Sequence, residues 1–227
     1  MGKLLHTPVL LSPYTLGDLQ LKNRIVMAPL TRTRADHQGY GAPGIYSEEQ
    51  RAGWERITDR VHRAGGLIFV QLWHQGAVSH RSLYADGRMP LGPSAVNPEQ
   101  LIHVEGGRVM SETPGEMSLQ DIEQAVKDFR HAAQVARDAG FDGIQIQGGF
   151  VYLFQQFLHE VTNRRTDQYG GSMENRARMR RWPHRAGKPG GRHRLAFPLR
   201  RNPSSWPAFY LPASNGRERP IDLRRVG

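Results

Sequence analysis

Apolar residues along this chain alternate between short compact runs and longer stretches with helical spacing. Ile25-Val26-Met27, closed by Pro29, reads as a short buried strand over Arg24 to Ala28. Ser47 with Gln50 three residues on forms a capping box that opens a helix. Trp54, Ile57, Val61 and Ala64 fall on one face of that helix, and Gly65-Gly66 stops it. Leu67 to Leu72 is a second buried strand. After a Pro- and Gly-bearing excursion from about Trp73 to Gly115, Ser118 with Asp121 opens another helix. It turns Ile122, Ala125, Phe129, Ala132, Val135, Ala136 and Ala139 inward, and Gly140 ends it. Phe141 to Ile146 is the third strand, Val151 to Leu158 a helical turn, and Ser172 starts a last helix that cannot pass Pro183. This rhythm predicts an α/β fold with parallel pairing, without any repeat of fixed period.

Composition changes the picture only once it is divided along the chain. The 227 residues carry a formal charge of +10. Residues 176–227 hold 14 Lys or Arg against two acids, so residues 1–175 hold 17 basic and 19 acidic groups, a balance of −2. Seven of the 15 prolines lie between Pro183 and Pro220. Scattered Arg among Pro and Gly is the footprint of a disordered segment able to bind polyanions non-specifically, with Trp182, Phe197, Trp206, Phe209 and Tyr210 as stacking groups. No nucleic-acid-binding motif accompanies that charge, which weighs against specific recognition. A read-through or out-of-frame C-terminus of a GC-rich gene would give the same composition. The absence of cysteine excludes disulfides and thiolate zinc sites and agrees with a cytoplasmic protein. His6, Pro8 and Pro13 interrupt the N-terminus before a signal sequence would form, and no apolar run approaches a membrane span.

In parallel α/β barrels the working residues stand at the C-terminal ends of strands. Thr31, Gln71 and Gln147 occupy that position here. Taken singly, Thr31 reads equally as a turn residue, Gln71 as a polar strand end, Tyr152 as an aromatic packing group and His74 as a hydrogen-bonded wall residue. His62, His74 and His80 lack a metal-binding spacing, so no metal is expected.

A series of ordered motifs alters those odds. Leu21-Lys-Asn-Arg-Ile-Val-Met-Ala-Pro-Leu-Thr-Arg32, Pro43-Gly-Ile-Tyr-Ser-Glu-Glu-Gln50, Phe69-Val-Gln-Leu-Trp-His74, Pro93-Ser-Ala95, Ala139-Gly-Phe-Asp-Gly-Ile-Gln-Ile146 and the stretch from Tyr152 through Arg176 closely resemble the old yellow enzyme family of flavin-dependent ene-reductases. The resemblance implies a TIM barrel that binds FMN and uses NAD(P)H to reduce the C=C bond of α,β-unsaturated carbonyl compounds, including oxophytodienoate-like enones. It assigns Pro29 and Leu30 to the flavin ring through backbone, Thr31 to a ring carbonyl and Gln71 to the pyrimidine edge. Trp73, Gln147 and Phe150 fall at substrate-binding positions, and Tyr152, five residues after Gln147, at that of the acid that protonates the α-carbon.

The departures are as specific as the matches. The family reads His-x-x-Asn or His-x-x-His where this chain has Gln147 and Phe150, so one oxyanion donor is weakened and the other lost. Gln145 stands where Glu is common, and Ala77 where Arg is common. About 30 residues, one strand–helix unit, separate the first two motifs in the family, whereas only Asp36 to Ala42 intervene here. Beyond Arg181 the family's later units, including its phosphate site, have no counterpart, while such a barrel needs about 250 residues.

The resulting expectation is an α/β chain forming a partial TIM (β/α)8 barrel, with one early unit and the C-terminal half missing. Residues 1–181 make the incomplete flavin-oxidoreductase domain, and residues 182–227 a basic Pro/Gly/Arg-rich tail. The expected activity is FMN-dependent ene reduction on a small-molecule enone, weakened at the donor pair, without membrane or specific nucleic-acid partner. The alternatives are a non-catalytic partial barrel that binds a protein partner and a basic-tailed nucleic-acid binder.

Overall fold

A computed structural model describes residues 9–30, 43–149, 151–180 and 197–198. Strands β1 (Tyr14–Leu16) and β2 (Leu19–Leu21) form a tight antiparallel hairpin. Gly17 takes a positive φ of 64° in its turn, where a glycine is favoured. Helix α1 (Glu48–Arg63) begins at the anticipated box, Ser47 Oγ accepting from Gln50 N while the Gln50 side chain accepts from Ser47 N. Strand β3 (Phe69–Leu72) follows.

The excursion contains short strands β4 (Leu91–Gly92), β5 (Leu101–Val104), β6 (Gly107–Met110) and β7 (Gly115–Glu116). β5 and β6 pair as a second hairpin, Leu101 opposite Met110, and β4 pairs with β7 in parallel. Helix α2 (Leu119–Asp138), capped by Ser118 and Asp121, leads into strand β8 (Gly143–Ile146). Helices α3 (Leu153–Leu158) and α4 (Met173–Arg176) come next, and β9 (Phe197–Pro198) lies antiparallel beside β8.

The pairing that organises the site is parallel, as the strand–helix rhythm predicts. Phe69, Val70, Gln71 and Leu72 stand opposite Gly143, Ile144, Gln145 and Ile146. Backbone bonds extend the ladder at both ends, Asp142 N to Ile68 O at 3.0 Å and Gln147 N to Leu72 O at 2.9 Å. Asp142 also closes the N-terminal end, its carboxylate accepting from Ile68 N at 2.7 Å. Val70, Leu72 and Ile144 pack with Ile122, Phe129, Leu153, Phe154 and Phe157 in one core. The Phe129 and Phe154 rings lie 5.1 Å apart, and such pairs add to the area they bury. No closed barrel forms among the described residues, and no described helix is long and apolar enough to cross a membrane.

Four expectations need correction. The run Ile25-Val26-Met27 is not a buried strand: its residues are 59, 78 and 88% exposed and carry no ladder. A strand exists only through a neighbour, and none pairs with this run among the described residues. On α1 the buried position is Thr58, while Ile57 is 44% exposed. Trp54 and Thr58, one i, i+4 row, meet the end of α2, where the Trp54 and Phe141 rings are 5.4 Å apart and Thr58 Oγ1 donates to Ala139 O at 2.6 Å. That approach favours a small polar residue, since a Cβ on Gly140 would stand 3.2 Å from Thr58 Oγ1. On α2, Ala133 is buried in place of Ala132, which packs at the core margin. The helix expected from Ser172 lasts four residues before a 3-10 turn at Arg178–Arg180.

Candidate active site

Two loops meet at the C-terminal ends of β3 and β8. Gln71, half-buried on β3, donates its side-chain amide to Gln145 Oε1 at 2.9 Å across the strand pair. This bond commits one Gln71 N–H and leaves Gln71 Oε1 able to accept and the Gln145 NH2 able to donate, neutral groups of the kind that recognise the C=O/N–H edge of a heterocycle.

Immediately beyond β3, Trp73 places its ring 4.7 Å from that of Tyr152 in an edge-on arrangement. The two chain segments are also joined by backbone, Leu153 N donating to His74 O at 3.1 Å. His74 Nδ1 accepts from Gly76 N at 2.9 Å, which puts the ring proton on Nε2. Burial pushes its pKa below the ordinary histidine value, so the imidazole is neutral. Burial likewise raises Tyr152 above the ordinary phenol, so its hydroxyl keeps the proton at neutral pH.

Gln147 begins the turn after β8, its backbone N bonded to Leu72 O, the residue before Trp73. Gln147 Oε1 accepts from Gly149 N at 3.2 Å, an orientation that keeps its NH2 as the end able to donate. Val151 adopts φ 54°, an unusual conformation for a β-branched residue. Two glutamines hold it there: Val151 N donates to Gln155 Oε1 at 2.7 Å, and Gln156 Nε2 donates to Val151 O at 2.6 Å.

The structure therefore sets Trp73 against Tyr152 and places Gln71 and Gln147 at the C-terminal ends of the paired strands. Pro29 and Leu30 lie at the end of the exposed segment after β2, Leu30 being 73% exposed, and no hydrogen bond among the described residues ties them to the strand ends. Thr31 and Phe150 lie outside the described residues.

Two supports escaped the sequence reading. Gln156 is 2% exposed, and its position between Phe154 and Phe157 on an apolar helical turn was the available signal. Arg165, 8% exposed, donates to Pro93 O at 3.0 Å and Met117 O at 2.6 Å and pairs with Asp167 at 2.5 Å. Asn163 Nδ2 donates to Phe157 O and Tyr169 O at 2.6 and 2.8 Å. The Asn163–Tyr169 segment is thus a polar staple behind α3, and besides Asp167 Arg165 bonds backbone carbonyls distant in sequence.

Residues 40–181 match the NADH:flavin oxidoreductase / NADH oxidase family. 12-Oxophytodienoate reductase 1 of Oryza sativa subsp. japonica is 38% identical over 203 residues, spanning 75% of this chain and 52% of that protein. Morphinone reductase in complex with tetrahydroNAD superposes with a TM-score of 0.72 at 38% identity, covering 76% of this chain and 58% of that one. The old yellow enzyme homologue from Zymomonas mobilis gives a TM-score of 0.72 at 36% identity over 77% of this chain and 58% of its own. The chain spans about half the length of the curated relatives it matches.

Proposed function

This chain belongs to the NADH:flavin oxidoreductase / NADH oxidase family, and on that premise we propose that its site is built for FMN-dependent, NAD(P)H-driven reduction of the C=C bond in small α,β-unsaturated carbonyl compounds, such as oxophytodienoate-like enones. The observation that carries the reading is the convergence of Gln71, Trp73, Gln147 and Tyr152 at the C-terminal ends of the parallel pair β3–β8. We read residues 1–181 as part of a TIM (β/α)8 barrel, in keeping with the old yellow enzyme structures that superpose on this chain. Residues 182–227 are assigned to a basic tail on composition alone.

The polar edge of the flavin ring fits the donor set: Gln71 Oε1 accepts and Gln145 NH2 donates, both neutral at any physiological pH. By family resemblance Thr31, Pro29 and Leu30 add ring contacts. The phosphate is less well served. The N-termini of α1 and α2 are occupied by their own capping boxes and carry Glu48, Glu49 and Asp121 in their first turns, which disfavours a dianion there. Among the described residues neither long helix offers the phosphate an open N-terminus, and we infer that FMN is held chiefly by its ring.

Bound FMN supplies the hydride relay between nicotinamide and the β-carbon of the enone. The chain's own residues do the rest. Trp73 walls the substrate, Gln147 offers one amide N–H to the carbonyl oxygen, and the Tyr152 hydroxyl holds the proton destined for the α-carbon; Phe150 is assigned to the substrate on family resemblance alone. A single neutral amide replaces a two-donor oxyanion site, and loss of one such donor costs roughly 10²–10³ in turnover. Slow enone reduction is the consequence.

A second reading, a non-catalytic partial barrel engaging a protein partner, draws on the exposed apolar run Ile25–Met27. One experiment separates the two. The purified chain is loaded with excess FMN, and NADPH oxidation is followed with and without 2-cyclohexenone. Enone-dependent oxidation abolished by Tyr152→Phe supports the first reading, and flavin-independent inertness supports the second.

A further inference from the structure

We propose that Gln156 is a positioning residue that sets the contact between Trp73 and Tyr152 by tying the loop after β3 to the turn after β8. The inference rests on the proposed role of Tyr152 as acid for its functional meaning, but the geometry stands apart from it. Gln156 is 2% exposed, and its carboxamide reaches both loops. Its Oε1 accepts from Ala77 N at 3.0 Å, and its Nε2 donates to Gln75 O at 3.0 Å and to Val151 O at 2.6 Å. Its backbone N donates to Tyr152 O at 2.9 Å, so the same residue also fixes the first turn of α3 at the tyrosine.

The fit allows little slack. Gly76 has φ +61°, and a Cβ there would collide with the Gln156 amide. On the other side the amide faces Val151, held at φ 54°. Trp73 and His74 precede the Gln75–Ala77 contact by one to four residues, and Tyr152 follows Val151 directly. With both amide hydrogens and the carbonyl oxygen engaged, this buried amide links two loops that, among the described residues, share one direct backbone bond, Leu153 N to His74 O. Gln155 differs: it reaches Val151 N alone and touches one loop.

The test uses the full chain labelled with 5-fluorotryptophan, the Trp73 resonance being assigned with Trp73→Phe. Because the Tyr152 ring lies 4.7 Å away, deprotonation of the phenol moves that resonance, and Tyr152→Phe removes the movement. Gln156→Met keeps side-chain length but breaks every amide bond. The expected result is a displaced Trp73 resonance, a titration step at most half the wild-type amplitude, and a midpoint that falls toward the ordinary tyrosine value of about 10. Gly76→Ala presses on the same amide from the opposite loop and is expected to act in the same direction, which covers the case in which Gln156→Met folds poorly. Gln155→Met is expected to leave the midpoint in place. An unchanged Trp73 resonance and midpoint in whichever of the first two variants is folded overturns the proposal. No flavin or turnover enters this readout, so a chain inactive toward enones still decides it.

Discussion

Gln71 and Gln145 are register partners on adjacent parallel strands, and the side-chain amide of the first donates to the carbonyl oxygen of the second at 2.9 Å. The bond fixes which way both carboxamides face. Left to itself Gln71 is equally able to present a donor or an acceptor. Engaged with Gln145, it presents the acceptor, and Gln145 supplies the donor beside it.

That edge, and not a phosphate site, is expected to dominate flavin affinity. Riboflavin and FMN should therefore bind the chain with similar, weak affinity, measured by quenching of flavin fluorescence. Gln145→Leu should weaken both by about fivefold, the equivalent of about 1 kcal/mol for one hydrogen bond. FMN binding far tighter than riboflavin would show that a phosphate site exists.

The donor positions are best tested by transplanting them. Placing Gln and Phe at the positions equivalent to Gln147 and Phe150 in a complete family member should cut turnover by roughly 10²–10³ or more while its flavin stays bound. Single-turnover reduction of an enone by the pre-reduced enzyme reads the chemical step directly. An unaltered rate would mean that the oxyanion lies elsewhere.

Arg165 is a structural cation. Its guanidinium serves two backbone carbonyls and Asp167 from a site 8% exposed. Arg165→Met should destabilise the fold by about 3 kcal/mol, because carbonyls and a carboxylate lose their partner together. Urea unfolding followed by tryptophan fluorescence measures it.

The same pair gives a pH dependence with a definite sign. Hydrogen bonds from Arg165 hold the Asp167 pKa below the ordinary carboxylate value, as those from Ser118 do for Asp121. A depressed folded pKa contributes stability that is fully present above the unfolded value of about 3.9 and is lost as pH falls through the folded value. Asp167→Asn should lower stability at neutral pH and flatten the acid limb of a plot of urea midpoint against pH. An acid limb as steep as in wild type would refute this.

Two glycines provide a matched contrast within the site region. A Cβ at Gly170 would collide with the Arg165 carbonyl, whereas one at Gly148 meets nothing within 4 Å. Gly170→Ala should unfold the Asn163–Tyr169 staple and lower Tm by several degrees, while Gly148→Ala should leave Tm near wild type.

Much of the scaffold was legible residue by residue. Both capping boxes, at Ser47 with Gln50 and Ser118 with Asp121, were readable because a cap is a contact among neighbours within one turn. Gly140 with φ +83° ended α2 for a local reason too. Neither hairpin was anticipated, the second of them lying in the Pro- and Gly-bearing excursion, since strands of three or four residues carry too short a pattern to separate from loop. The burial of Thr58 over Ile57 was invisible because it depends on which helix end lies opposite.

The sequence by itself determined the strand–helix alternation from α1 to β8, the caps of α1 and α2, parallel strand pairing and the candidates Gln71, Gln147 and Tyr152. All of these follow from local spacing or from ordered motifs. Only the tertiary structure decided that Gln71 faces Gln145, that Trp73 meets Tyr152 edge-on and that Gln156 and Arg165 hold the loops behind them. Each of those contacts joins residues 48 to 81 positions apart. Hydropathy and spacing describe a residue's immediate neighbours. A hydrogen bond between two strands, or from a buried amide to a distant carbonyl, exists only once packing has removed water and left each polar group one available partner.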